Sequence, residues 1–283
     1  MLRKKISKRL SAFLLLSFAL LTAKVIASEQ VPTGQLPDNV EPTHYQLTLK
    51  IDPEQERFSG QTSIDLNIKN ATNYFYINGQ SLTIKSVYLK NIHGKIIQAI
   101  AKNTSVEGVM KVTANIELTA GAYTITFDYN APFNENLEGL HRVKDGGQYY
   151  AFTQMESISA RLAFPSFDEP RFKTTYDMDI IIPERLVAIA NSPEAKTTKM
   201  ADGWKTLSFE TSKKLPTYLV AFFVGDFDVV VMPDMPATSV RDYAVPLRGI
   251  AAKGKGKQLA YALSQTQIVT EALEDYFQYP YPY

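Results

Sequence analysis

The chain is built mainly from short runs in which apolar and polar residues alternate. Every second residue is apolar from Tyr45 to Ile51 and again from Ile64 to Ile68. Because the side chains of a β-strand point alternately to its two faces, this period of two predicts strands with one buried and one wet face. Further runs of β type are 74–77, 82–89, 110–118, 123–129, 149–153, 176–182, 186–189 and 204–209.

Turn signals separate these runs and set the expected fold class. Asn78-Gly79, Ala120-Gly121 and Asp202-Gly203 are three of them. Many short strands joined in this way indicate an antiparallel β-sandwich. No self-similarity recurs at a period of about 20–50 residues, which argues against a solenoid or a propeller.

The stretch from Tyr218 to Gly225 differs from the others because it is continuously apolar. Such a run predicts a strand that is buried on both faces. Pro233 and Pro236 break the β pattern soon afterwards. We therefore expect a β domain over residues 31–230.

The first convincing helix lies near the C-terminus, after one more strand-like run at 243–250. Apolar residues recur there at steps of three and four between Leu259 and Tyr276. A helix with one apolar stripe needs a surface to cover that stripe. We interpret residues 231–283 as the truncated beginning of a second domain whose remainder is missing. The alternative is that the helix packs back on the sheet as a lid.

Residues 1–27 have the pattern of a secretory signal peptide. A basic segment at 3–9 is followed by an apolar run from Leu10 to Ala23 and by a small-residue cleavage pattern ending at Ala27. That run is short for a membrane span, which needs about 20 residues; an uncleaved anchor is the alternative. Removing the leader changes the formal charge from +1 to −5. We expect an exported protein, periplasmic or extracellular, with no stable membrane span after cleavage.

The sequence lacks the motifs of several function classes. It has no cysteine, which excludes disulfides, thiolate zinc sites and a cysteine nucleophile. His44, His93 and His141 are far apart, and no His-Glu-x-x-His occurs, so we predict no metal ligand and no catalytic residue. Each histidine is expected at the surface or at a strand edge. A nucleophile elbow, a P-loop, a dinucleotide fingerprint and a basic stripe for nucleic acid are all absent.

Gln154 and Glu156 are the candidate binding residues. Two positions apart on an extended segment, they are expected to point to the same side. A carboxylate supplies charge and an amide oxygen a directed acceptor, a combination that suits a small cation such as a free amine. The alternative is that they line the wet face of a strand, as many polar pairs do.

The segment from Phe164 to Pro170 is predicted to be a rigid aromatic loop, because its prolines restrict the backbone. Asp168 and Glu169 could be proposed as paired acid and base carboxylates. Adjacent residues rarely converge on one reacting atom, so a structural role is favoured. Arg161 is expected to pair with one of the two carboxylates.

Gln154–Arg161 and Ala163–Pro170 together resemble a signature of the aminopeptidase N family of zinc metallopeptidases, the gluzincin aminopeptidases. In that family a Gln-x-Glu element is followed by Ala-Arg and by Ala-Phe-Pro-Cys-Phe-Asp-Glu-Pro. Ser166 stands here where cysteine is usual. The resemblance runs from about residue 33 to the end of the sequence, and its other carriers are Leu36–Tyr45, Gly139–Arg142, Ala190–Pro193, Pro216–Phe227 and Asp275–Pro282.

The resemblance implies a mostly β architecture: an N-terminal antiparallel β-sandwich or saddle domain, then the truncated start of a thermolysin-like α+β catalytic domain. The family's Gln-x-Glu residues project into the catalytic cleft and help to bind the free α-amine of the substrate. The resemblance therefore implies this role for Gln154 and Glu156. The expected partners are peptide substrates with a free N-terminus.

Several motifs of the family do not occur in the 283 residues: Gly-x-Met-Glu-Asn, His-Glu-x-x-His, the third zinc-ligand glutamate and the transition-state tyrosine. We therefore expect no cofactor in this chain, zinc in the full-length family enzyme, and no activity without a missing C-terminal catalytic part. The leading interpretation is the N-terminal portion of an exported zinc aminopeptidase that removes N-terminal residues from peptides. The alternative is a stand-alone, non-catalytic β-sandwich module that binds peptides or a partner protein.

Overall fold

The computed structural model describes residues 31–282 and shows a chain built mostly of β-strands. The prediction of a mostly β fold is confirmed, whereas the predicted signal peptide, residues 1–27, lies outside the described residues. The elements are β1 Val40–Lys50, β2 Arg57–Ile68, β3 Thr72–Asn78, β4 Thr83–Asn91, β5 Ile96–Asn103, β6 Val109–Leu118, β7 Gly121–Pro132, β8 Gly139–Asp145, β9 Gln148–Gln154, β10 Thr175–Pro183, β11 Val187–Ala190, β12 Glu194–Lys199, β13 Trp204–Phe209, β14 Phe222–Gly225, β15 Phe227–Val231, β16 Arg248–Ala252 and the helix α1 Ala260–Phe277.

Ten strands form one large sheet in the order β12-β13-β10-β1-β2-β7-β4-β5-β6-β3. Neighbouring strands run antiparallel except β1 and β10, which are parallel with Tyr45 opposite Tyr176. β5 pairs with β4 through residues 96–98 and with β6 through residues 99–103. β5 is therefore the one strand that joins the larger part of the sheet, from β12 to β4, to the smaller part, β6 and β3.

The core lies on one face of the large sheet, and the chain between residues 160 and 172 covers part of it. Tyr45 and Tyr176 are buried, and their rings stack with 4.9 Å between centroids. Phe164 and Phe167 are buried above them, and the Phe164 ring lies edge-on to Tyr45 at 6.5 Å. The Tyr45 hydroxyl accepts a hydrogen bond from the Phe167 N–H at 2.9 Å. Burial raises the pKa of Tyr45, so this hydroxyl stays neutral.

A second, smaller sheet has the order β11-β14-β9-β8, and β15 and β16 form a separate antiparallel pair. β14 approaches β9 closely at Gly225. A Cβ added to Gly225 would lie 2.3 Å from the ring of Tyr150. Glycine is therefore required at this position for β14 to lie against the β8–β9 hairpin.

All ten alternating runs of the sequence lie on strands, but three strands carry no pattern that predicts them. β12, with the sequence Glu-Ala-Lys-Thr-Thr-Lys, is fully exposed at one edge of the large sheet. An edge strand that buries no side chain has no apolar alternation to reveal it. β5 and β8 bury some side chains, but residues of mixed polarity follow each other in both, so neither shows a regular alternation.

Two sequence predictions near the end of the β region are wrong. Tyr218–Gly225 is not one strand buried on both faces, because it begins with a 3-10 turn at Thr217–Leu219 and Leu219 is 47% exposed. The Asn191 amide hydrogen-bonds the backbone of Leu219 and Ala221 in place of a neighbouring strand. The strand expected at 243–250 begins only at residue 248, in β16.

The helix α1 packs through one narrow side. Leu263 is buried beside Gly249 of β16, where an added Cβ would lie 2.9 Å from a Leu263 methyl carbon. Glu274 is buried and accepts hydrogen bonds from Arg241 Nε and from the Tyr281 N–H, both at 2.8 Å. These two contacts, the Tyr281 N–H first, lower the pKa of Glu274. The other large apolar residues of the helix are exposed: Tyr261, Ile268, Val269, Leu273, Tyr276 and Phe277.

The helix therefore does not lie over a sheet as a lid. It joins the β15–β16 pair through the 3-10 turn at residues 256–259. β15 pairs with β16 across the boundary expected near residue 230, and the division into domains 31–230 and 231–283 stays a prediction. Within residues 31–282, neither α1 nor any other helix combines the length and the hydrophobicity that a membrane span requires.

Candidate amine-binding site

The β8–β9 hairpin places Gln154 at one end of the smaller sheet. Its turn contains Gly146 and Gly147, which have positive φ angles of 57° and 87°. The pairing runs back from this turn until Gly139 lies opposite Gln154. Gly139 also has a positive φ, and an added Cβ would lie 2.8 Å from Leu162 Cβ. Gly139 thus lets the end of the hairpin touch the turn that follows Gln154.

Gln154 and Glu156 are both exposed, on either side of the buried Met155. That the two side chains point to the same side, as their spacing predicts, stays a prediction. The Ser159 N–H donates to the Met155 carbonyl at 2.8 Å and closes the turn that carries Glu156. The peptide bond between Glu156 and Ser157 is cis. Within the described residues neither the Gln154 nor the Glu156 side chain forms a hydrogen bond or an ion pair.

Glu156 lines a cleft of about 1320 Å³, whereas Gln154 lies outside its lining. The cleft runs between the turn after β9, the loop between β7 and β8, and the chain around residues 168–171. Six acidic and two basic residues line it: Glu107, Glu135, Glu138, Glu156, Asp168, Glu169, Arg161 and Arg171. The structure thus joins one of the two predicted residues to a large acidic cleft.

Arg161 and Asp168 form a buried ion pair beneath this cleft, with 3.0 Å between Arg161 Nε and Asp168 Oδ2. Asp168 Oδ1 accepts a hydrogen bond from the Thr217 hydroxyl at 2.6 Å, and the Asp168 N–H donates to Asn78 Oδ1. Arg161 also donates to the Glu107 carbonyl at 2.8 Å. The expected structural role of Asp168 and its pairing with Arg161 are confirmed.

Glu169 has a structural role as well. It accepts hydrogen bonds from the Leu36 N–H and from Arg171 Nε. Arg171 also pairs with Asp38 and holds the pKa of that carboxyl below its usual value. These contacts join the start of the described chain to the loop, and both carboxylates of the Asp168-Glu169 pair are occupied by protein partners.

Ser166 is the residue that departs from the family pattern. It is fully buried, and its hydroxyl has no hydrogen-bond partner within residues 31–282. A cysteine thiol is a weaker donor and acceptor than a hydroxyl. The substitution therefore leaves one more buried polar group unsatisfied, but it touches neither Gln154 nor Glu156.

The histidines do not form a metal site. His93 is exposed, as expected for a surface position. His44 is half-buried on the inner strand β1, between β10 and β2, and its Nε2 lies 3.2 Å from Asp177. His141 is on the edge strand β8 but is buried, and this burial lowers its pKa. Between residues 31 and 282 no three histidine, aspartate or glutamate side chains are grouped so that they could hold a metal ion. The described residues therefore do not fit zinc.

The cleft contains residues that sequence reasoning missed. Glu135 and Glu138 lie in the loop before β8, and Ser159 lies in the turn after β9. The sequence Asn-Glu-Asn-Leu-Glu at 134–138 is the one available signal, because two carboxylates directly precede the recognised segment Gly139–Arg142. The pairing of Gly139 with Gln154 is what brings them to the site, and this pairing is not visible in the sequence.

A β domain with this hairpin and loop is of a known type. The family model described as the Peptidase M1 N-terminal domain matches residues 41–219, which is more than half of the chain. The chain belongs to this family, as its resemblance to the aminopeptidase N family implies.

Its relatives are aminopeptidases. The puromycin-sensitive aminopeptidase of Caenorhabditis elegans is 32% identical over 264 residues, covering 90% of this chain and 27% of that protein. Endoplasmic reticulum aminopeptidase 1 of Rattus norvegicus is 31% identical over 257 residues, covering 88% and 27%. Aminopeptidase N of Acetobacter pasteurianus is 28% identical over 267 residues, covering 92% and 71%. The chain thus spans about a quarter of the length of the first two relatives.

Proposed function

We propose that this chain supplies the amine-binding part of an exported zinc aminopeptidase, and that Gln154 and Glu156 bind the free α-amine of a peptide. The observation that carries the proposal is the exposed and unpaired carboxylate of Glu156. Its carboxylate is exposed at the edge of a large cleft and has no cationic partner among the described residues. Family membership and aminopeptidase relatives support the same role.

The two side chains divide the recognition of an ammonium group between them. The Glu156 carboxylate supplies a full negative charge, and charge-assisted hydrogen bonds are roughly twice as strong as neutral ones. The Gln154 amide oxygen supplies one further acceptor with a defined direction. The buried Met155 side chain and the Ser159–Met155 hydrogen bond hold both residues in position before a peptide arrives. Little ordering of the protein is then needed on binding.

Residues 31–282 contain no group of side chains that could hold zinc. In the family, zinc activates the water that attacks the peptide bond. The 283 residues contain no His-Glu-x-x-His segment. We therefore propose that hydrolysis requires a catalytic part outside this sequence and that the chain alone has no turnover. Chelator-sensitive hydrolysis of an aminoacyl anilide by the purified chain would contradict this part of the proposal.

Export rests on the leader pattern at residues 1–27. Expression of the full sequence in a secreting bacterium, followed by N-terminal sequencing of the periplasmic product, tests it. A mature chain that starts at Ser28 supports export with cleavage, and a cytoplasmic chain that keeps Met1 contradicts it.

The amine-binding proposal is tested with leucinamide and N-acetyl-leucinamide, which share a side chain but differ in the charged amine. An NMR titration of the purified chain should show leucinamide shifting the amide signals of Gln154, Glu156 and Ser157. Acetylation should weaken binding about tenfold or more, because it removes a charge-assisted hydrogen bond worth about 1.5–3 kcal/mol.

The matched variants are Glu156→Gln and Glu117→Gln. Glu156→Gln should weaken leucinamide binding to the level of the acetylated compound. Glu117 is exposed on β6, outside the lining of the cleft, and its substitution should change nothing. Equal binding of the two compounds, or equal binding by wild type and Glu156→Gln, overturns the proposal.

A further inference from the structure

The cleft beside Glu156 carries an excess of negative charge. Its two guanidinium groups are already neutralised, since Arg161 pairs with Asp168, and Arg171 pairs with Glu169 and Asp38. Four lining carboxylates remain with no ion pair or hydrogen bond in the described chain: Glu107, Glu135, Glu138 and Glu156. One α-amine would neutralise only one of them.

Two parts of this lining meet at the end of the β8–β9 hairpin. Glu138 directly precedes Gly139, which lies opposite Gln154. The Ser159 carbonyl lies 3.1 Å from the position of an added Cβ on Gly139. Glu138, Ser159 and Glu156 therefore occupy the same end of the cleft, next to the proposed amine site.

Ser159 provides an independent sign that a ligand binds here. The residue lines the cleft but is only 9% exposed. No hydrogen bond of its hydroxyl is found within residues 31–282, and the residue forms part of the wall of the cleft. Polar groups of nearly buried residues normally have a partner. A ligand atom in the cleft would complete the hydrogen bonding of this hydroxyl.

The shape and composition of the site favour an extended organic cation. The acidic residues around the cleft are too dispersed to hold a metal ion as a group. The half-exposed Ile158 also lines the cleft and offers an apolar surface to an aliphatic chain. Lysine and arginine combine such a chain with a terminal charge.

We propose that this end of the cleft binds a lysine or arginine side chain close to the N-terminus of the peptide, with Glu138 and Ser159 as its contacts. This inference rests on the proposed function, because it takes the peptide α-amine to lie at Glu156. It makes the preferred substrates peptides with a basic residue next to their free N-terminus.

The test compares Leu-Lys-Lys-Ala-amide with Leu-Nle-Nle-Ala-amide, in which norleucine keeps the aliphatic chain and removes the charge. Binding to the purified chain is measured by NMR titration at low and moderate salt. The lysine peptide should bind about tenfold tighter at low salt, and this ratio should shrink as salt rises, because salt screens charge pairs of this kind.

Variants assign the preference to residues. Glu138→Gln should reduce the ratio of the two affinities about threefold, which lies within the range for an exposed charge pair. Ser159→Ala should reduce it by a smaller factor, and Glu117→Gln should leave it unchanged. Equal affinities for the two peptides, or an unchanged ratio in Glu138→Gln, overturns the inference.

N-acetylated forms of the lysine and norleucine peptides separate this inference from the proposed function. If acetylation does not weaken binding but the ratio still depends on Glu138, the α-amine proposal fails and the basic-side-chain site stands. If acetylation weakens both peptides equally and their affinities are the same, the amine site stands and the basic-side-chain site fails.

Discussion

The large β-sheet and the helix α1 use the same kind of sequence pattern with opposite results. In β1, every apolar residue that the alternation predicts to be inward is buried, as Leu47 and Leu49 show. In α1, most of the apolar stripe is exposed, with Leu273 at 51% and Tyr276 at 80%. The residues that cover the apolar face of the sheet lie within residues 31–282. The helix α1 contacts the rest of the described chain along one side only.

The difference shows what a hydrophobic pattern can and cannot specify. The period of apolar residues fixes the type of element and its inner face, because it follows from backbone geometry. It does not specify what covers that face. In α1 the main attachment is a buried polar contact, Arg241 with Glu274, and such a pair cannot be seen in an apolar pattern.

The largest expected effect is in the loop that closes the β region. Asp168→Ala leaves the buried Arg161 guanidinium without its carboxylate and the Thr217 hydroxyl without its acceptor. Because breaking a buried ion pair costs about 3–5 kcal/mol, the free energy of unfolding should fall by that amount. Urea denaturation followed by circular dichroism measures it.

Asp234→Ala is the control for this substitution, since Asp234 is exposed and forms no ion pair among the described residues. Its effect should stay within about 0.5 kcal/mol. Similar small losses in the two variants would show that the Arg161–Asp168 pair does not hold the loop in solution.

A pair of leucine substitutions compares the two regions directly. Leu47→Ala should lower the free energy of unfolding by about 2–5 kcal/mol, because it opens a cavity in a fully buried site. Leu273→Ala should change it by at most about 0.5 kcal/mol, because the side chain is half exposed. The same urea denaturation measures both. A loss at Leu273 as large as that at Leu47 would mean that the apolar face of α1 is covered in solution.

The sequence predicted the fold well where burial alternates and poorly where it does not. β2 and β7 were predicted from their alternation, but the fully exposed β12 carries no such signal. The apolar run after Tyr218 predicts one strand, because nothing in it shows that the Asn191 amide hydrogen-bonds its backbone. Side-chain to backbone contacts of this kind join distant segments and leave no pattern in the sequence.

The candidate site was predicted in part. The spacing of Gln154 and Glu156 predicts that they share a side, but only Glu156 lines the cleft. The family resemblance supplied their proposed role. The cleft itself could not be predicted, because Glu138 and Ser159 join it through the pairing of Gly139 with Gln154 and through a close approach that only glycine allows. Both depend on the three-dimensional register of one hairpin.

We propose that a peptide binds in the acidic cleft at Glu156 and not on the exposed apolar side chains of α1. Hydrogen exchange of the full chain, with and without Leu-Lys-Lys-Ala-amide, tests it most directly. We expect slower exchange of the amides at residues 134–139 and 154–159 on binding, and no change at residues 260–277. Slower exchange in the helix with none at residues 154–159 would contradict the account.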